Sequence, residues 1–177
     1  MVAISNDYYY IQSSNQHYYR FGEILESSEL LDLFRGRSPA HVDLHAETSV
    51  DSDDTPVLQL PYQSRFARSQ SSPALHAGIV MTAMDSAMGL ATMLAMEELS
   101  SLATLELRYD ELRPPQDEDG IFIKSHCDSI DDGIAYLTST ASDSSGIFAR
   151  AVARFILTPG STSFMEAAMA AINGEQS

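Results

Sequence analysis

Residues 76–96 read HAGIVMTAMDSAMGLATMLAM, and this stretch decides how the rest of the chain is read. From Ala77 to Met96 it runs for 20 residues with one charged side chain, Asp85. That is the length of a bilayer-spanning helix. Its composition argues otherwise. Ala, Gly, Met and Thr dominate over Leu, Ile and Phe, and the flank carries Glu97 and Glu98 with no basic residue close on either side. A spanning helix is instead marked by strongly apolar residues and by bases in its cytoplasmic flank. An ionised Asp at the bilayer midplane also costs about 3 kcal/mol or more. An all-round apolar helix outside a membrane is one buried in a protein core. The spacing therefore predicts a core helix over 77–99.

Downstream the pattern changes to period two, the mark of strands. Leu102 to Leu112 alternates, with Ala103, Leu105, Leu107 and Tyr109 on one face, and Pro114 and Pro115 end it. Three more strands are expected at 121–130, 134–142 and 147–157. Asp119-Gly120, Asp132-Gly133 and Ser144-Ser145-Gly146 connect them. Asp-Gly pairs are strong hairpin signals, and short connections make antiparallel neighbours. A four-stranded meander follows the helix on this reading. Upstream, HVDLHAE (41–47) alternates strictly and is expected as a half-buried strand. DSDD (51–54) is a turn, Val57–Leu60 a second short strand, and 63–73 a polar loop. A strongly curved sheet wrapped around the helix gives it cover on several sides. The fold class is α+β. The hydrophobic positions from Phe21 to Phe34 suggest one or two short helices, which GRSP (36–39) stops. Residues 1–20 are polar, with five tyrosines, and 163–173 read as a C-terminal helix. The expected division is 1–38 as tail and short helices, 39–160 as the folded domain, and 161–177 as terminal helix and tail.

Composition narrows the function. The 177 residues hold 10 bases and 25 acids, and 10 − 25 gives a net charge of −15. Nucleic-acid binding needs a basic footprint and docking on anionic lipid needs basic clusters, so both are excluded as expectations. Cys127 is the single cysteine, which rules out an internal disulfide and a Cys-only zinc site. The first residues have neither a basic nor an apolar leader region, so a cytoplasmic location is expected. There is no G-x-S-x-G nucleophile elbow and no nucleotide-binding glycine pattern. His41, Asp43, His45 and Glu47 would share one strand face, read as solvated polar surface rather than as a metal site. Cys127 reads as a packed thiol.

Two features of the central stretch carry chemistry. Asp85 lies mid-helix among Val80, Ala83, Met84, Ala87 and Met88, with no Lys or Arg three or four residues away. A buried carboxylate without a partner is costly to ionise, which suits a general base. At the other end, Ala77 and Gly78 open the helix. Free N–H groups and the helix dipole favour negative charge there, and small side chains let a carbonyl oxygen approach. That is an oxyanion hole in outline.

HAGIVMTAMDSAMGLA resembles the central-helix motif H-G-G-(x)-D-(x)-A of PaaI-type hotdog-fold acyl-CoA thioesterases. His76 and Asp85 are nine residues apart, as the motif's His and Asp are. ATLELRYDELRPP (103–115) resembles the family's first strand after the helix and its "YLRP" turn. LPYQSRF resembles its lead-in, and the similarity continues through FARAVARFIL, covering roughly residues 40–158. The resemblance implies a hotdog fold and assigns roles. Asp85 would be general base or nucleophile. Ala77, where the family has Gly, would offer its N–H to the thioester carbonyl, with Gly78 beside it. His76 would help position the thioester or its leaving group. Gln70 stands where Asn is common, and Thr104 where some members hold the water or the Asp with Ser. Neither metal nor redox cofactor is implied, coenzyme A entering only as part of the substrate. The resemblance also implies a homodimer or tetramer.

Geometry agrees with the dimer. Ala77 and Asp85 are eight residues apart, about 12 Å along a helix. Base and oxyanion donor must both lie within about 3–4 Å of the reacting group. Two antiparallel helices from two copies meet that condition. Arg65, Arg68 and Arg113 are the expected cationic rim for the coenzyme phosphates, with Arg150 and Arg154 on one face of the last strand. The alternatives are a hotdog module that binds acyl-CoA or assembles without turnover, and a hotdog dehydratase, whose Asp/His pattern the sequence lacks.

Overall fold

The computed structural model describes residues 3–5, 8–10, 39–51, 55–69, 71–96, 100–116 and 120–158. The segments read as helices at 21–34 and 163–173 lie outside them. β1 (Ala3–Ser5) and β2 (Tyr8–Tyr10) pair with each other as a separate antiparallel ribbon. A short helix, Pro39–Leu44, then leads to β3 (Glu47–Val50) and β4 (Pro56–Leu60). β5 (Ala67–Ser69) and β6 (Ser72–Leu75) form a small hairpin after a single 3-10 turn, Ser64–Phe66. The central helix spans Ala77–Ala95. It is followed by β7 (Ser101–Glu111), β8 (Ile121–Asp131), β9 (Ile134–Asp143) and β10 (Gly146–Thr158).

Six of these strands make one antiparallel sheet in the order β3-β4-β8-β9-β10-β7. The sheet curves around the central helix, an α+β arrangement. Val80, Ala83, Met84, Ala87, Met88 and Ala91 of the helix are buried with Leu58, Leu60, Ile121, Ile123, Leu137, Phe148 and Phe155 of the strands. Each large side chain removed from water there contributes about 1.5–3 kcal/mol. By length and composition the helix could cross a membrane; here it is the centrepiece of the core.

The structure corrects several expectations. Residues 39–44 are helical, not extended. Pro39 suits the first turn of a helix because its φ is already fixed. His45, at φ 52°, turns the chain out of the helix, and Val42 is exposed while Leu44 is buried. The alternation of 41–47 was too short to separate the two periods, and the shared strand face of His41, Asp43, His45 and Glu47 does not exist. The polar loop 63–73 holds the 3-10 turn and the β5–β6 hairpin. The central helix stops at Ala95, and Met96 is extended. Its last turn has no basic residue to complement the negative end of the dipole.

The largest correction concerns topology. β7 does not pair with β8. It lies at the far edge beside β10, with Glu111 opposite Ala149 and Ser101 opposite Thr158. The chain after β7 continues in β8, with β10 and β9 lying between the two in the sheet. Gly120 sits at φ 101°, and a Cβ there would lie 2.5 Å from the Leu60 carbonyl. Its glycine therefore serves the close approach of β8 to β4, not a hairpin. Asp132 and Gly133, both at positive φ, do form the expected tight turn between β8 and β9.

β7 also departs from strict alternation. Arg154 pairs with Glu106 but Phe155 pairs with Thr104, so Leu105 is an extra residue in the strand. Phe155 and Ala153 face the core. Thr104 therefore faces the helix on one side of the bulge, and Leu107 and Tyr109 do so on the other. Leu105 and Ala103 are exposed.

Candidate active site

The helix start can be settled group by group. The His76 N–H donates to the Phe66 carbonyl at 2.8 Å, which fixes the helix to the 3-10 turn. The Gly78 N–H donates to His76 Nδ1 at 3.1 Å, making His76 the N-cap. In the neutral ring, the proton then sits on Nε2. The N–H groups of Ile79 and Val80 both donate to the His76 carbonyl, at 2.9 and 3.3 Å. Ala77 is the position whose N–H meets no acceptor among the described residues. The expected pair of donors thus narrows to one, because the imidazole takes Gly78. A Cβ on Gly78 would come within 3.2 Å of that Nδ1, so a small residue here keeps the cap tight.

The helix is not covered all round. Its N-terminal half keeps an open stripe where Met81 and Thr82 are exposed and Gly78 and Asp85 half-buried. Asp85 therefore does not sit in a closed core, as its neighbours in sequence suggest. Its Oδ1 accepts a hydrogen bond from Thr104 Oγ1 at 2.9 Å. The bulge at Leu105 aims that hydroxyl; without it, Thr104 would fall on the outer face. Bulges often re-aim a side chain in this way. Asp85 Oδ2 has no partner among the described residues. Gln70 lies outside them.

The arginines expected as a cationic rim each have partners within the chain. Arg65 donates to the Asp43 carbonyl at 2.5 Å and to Gln63, and its guanidinium lies 4.4 Å from the Phe66 ring centre. Arg68 pairs with Glu111 at 2.6 Å. Glu111 also accepts from Tyr109 Oη at 3.3 Å, and burial followed by that carboxylate pushes the Tyr109 phenol up. Arg113 spans both oxygens of Asp143 at 2.7 and 2.6 Å and also donates to the carbonyls of Gly146 and Pro114. It is a strut between the crossover and the β9–β10 turn. Arg154 pairs with Glu106 on the outer sheet face. Sequence reasoning missed the Arg113–Asp143 pair, since 30 residues separate its partners. Among the described residues no group of three or more His, Cys, Asp and Glu could hold a metal ion.

No protein-family model and no curated protein matches the sequence. Solved structures do match. A thioesterase family protein from Silicibacter pomeroyi is 23% identical with a TM-score of 0.67, over 76% of this chain and 100% of that one. A thioesterase from Haemophilus influenzae is 18% identical with a TM-score of 0.64, over 76% and 91%. A phenylacetic acid degradation-related protein from Ralstonia eutropha is 17% identical with a TM-score of 0.60, over 72% and 98%. The fold shared with these thioesterase-superfamily structures is the hotdog fold, and this chain has it.

Proposed function

We propose that the chain is an acyl-CoA thioesterase that works as a homodimer, with two sites shared between copies. One observation carries the reading. Among the described residues, one N–H of the helix start, at Ala77, meets no acceptor and the Asp85 carboxylate is held by one hydroxyl, both on the same open helix stripe. They are about 12 Å apart along the helix, too far to meet one carbonyl. Among the described residues β7 is an edge strand of the sheet, and an edge strand presents a row of backbone groups to a partner. A second copy added there by a two-fold axis lays the stripes side by side and antiparallel. Asp85 of one copy then faces the helix start of the other.

The chemistry follows from these groups. The Ala77 N–H and the helix dipole stabilise the oxyanion that forms on the thioester carbonyl. Thr104 holds Oδ1 of Asp85, leaving Oδ2 to take a proton from water or to attack the carbonyl. His76 fixes the backbone around Ala77 through its cap. No metal or redox cofactor has a role in this scheme. The hotdog thioesterase neighbours support it. The committed arginines and Ala77 in place of Gly favour the second reading, a module that binds without turnover.

The test is thiol release from short, medium, long and aryl acyl-CoAs, with Asp85→Ala alongside. Cleavage that Asp85→Ala abolishes is expected. Cleavage by an equally active Asp85→Ala would remove the assigned base, and binding without cleavage would establish the module instead.

A further inference from the structure

Thr82 stands on the open stripe, four residues after Gly78 and three before Asp85. That spacing sets all three on one helix face. Thr82 Oγ1 donates to the Gly78 carbonyl at 2.8 Å, and the residue is exposed. A threonine hydroxyl has one proton and two acceptor lone pairs. The proton is spent inside the helix, so toward the stripe Thr82 can only accept. Such back-bonding is ordinary for a helical threonine. Thr92 does the same to Met88 at 2.9 Å. Thr92, however, is 0% exposed, and its lone pairs are sealed in the core. Those of Thr82 open onto the candidate site.

The next step rests on the thioesterase reading. Thr82 and Asp85 are three residues apart, about 4.5 Å of helix rise. In a coenzyme A thioester, two methylenes separate the sulfur from the nearest amide nitrogen, a reach of about 4 Å. A thioester held at Asp85 thus brings that amide within one turn. We propose that Thr82 Oγ1 accepts a hydrogen bond from the amide N–H nearest the thioester sulfur and so recognises the cysteamine arm of the leaving group. The site then favours an amide-bearing thiol over a simple alkyl thiol.

Three substrates with one acyl group test this: the coenzyme A thioester, the N-acetylcysteamine thioester and the S-ethyl thioester, which has no amide. Thr82→Val is expected to raise KM about fivefold for the first two, the scale of one net hydrogen bond. Its kcat/KM on the S-ethyl thioester should stay unchanged, Thr82→Ser should restore wild-type KM, and Thr92→Val should leave all three substrates unaffected. An equal loss on the S-ethyl thioester would overturn the proposal, assigning Thr82 to the attacking water or the helix. An unchanged KM throughout would also overturn it. If wild-type protein cleaves none of the three, the thioesterase reading itself falls, a result distinct from either.

Discussion

Two aspartates in this molecule are held in opposite ways. Asp143 has no exposed side-chain surface and is saturated: both oxygens meet Arg113, and the N–H groups of Gln116 and Ser145 donate to it at 2.9 Å. Asp85 faces an open stripe and, among the described residues, meets one hydroxyl. A carboxylate with every lone pair engaged holds chain segments together and has nothing left for a substrate. A carboxylate clamped by one oxygen is oriented and still available. The charge beside an acid thus says little about its task; the number of free lone pairs says more.

The comparison breaks most sharply at Asp85. Asp85→Asn should lower kcat about 100- to 10,000-fold, the usual worth of a positioned base, with the thermal midpoint little changed; steady-state thiol release and thermal melting together check it. Asp143→Asn should do the reverse, lowering the midpoint by about 5 °C while leaving KM unmoved. Its pH dependence has a definite sign. Arg113, aided by the two backbone donors, pushes the Asp143 carboxyl down to about 2. Its contribution is therefore present above the ordinary carboxylate range and is lost as pH falls from about 4 to about 2. Urea unfolding of wild type across that window should show the loss, and Asp143→Asn should flatten it. Arg113→Glu belongs with this pair: it places a carboxylate against Asp143 and should lower stability in the same thermal assay. Thr104→Val should lower kcat about tenfold by freeing the Asp85 rotamer. The smallest effect is expected at the cap, where His76→Ala should cost about 1 kcal/mol in chemical unfolding.

Much of the fold was legible because it rests on local pattern. The helix showed in an apolar run, Asp85 in being the only charge there, and the β8–β9 turn in Asp132-Gly133. What stayed hidden depends on distant partners. Asp119-Gly120 looks the same whether it joins neighbouring strands or ends a crossover, and only the approach to Leu60 separates the two. The bulge at Leu105 has no side-chain signature. It inverts the face of Thr104, so the residue was legible as a candidate while the reason it reaches Asp85 was not. The arginines showed as charges, and their commitments to Asp43, Glu111 and Asp143 needed the assembled sheet. The helix start lay between these cases. Ala77 and Gly78 were both legible as donors, and the His76 ring that removes one of them was not.

The placement of β7 has a consequence for the order of assembly. β8, β9 and β10 are joined by short turns and can zip together locally. β7 must find β10 across a wide gap in sequence, 57 residues where Ser101 meets Thr158. Closing so long a loop is entropically slow. The strand that delivers Thr104 to Asp85 is therefore late to dock. In the proposed dimer a second copy pairs with it, so its opening in native-state hydrogen exchange should slow as protein concentration rises. The clamp on the carboxylate is therefore completed late, when β7 docks on β10.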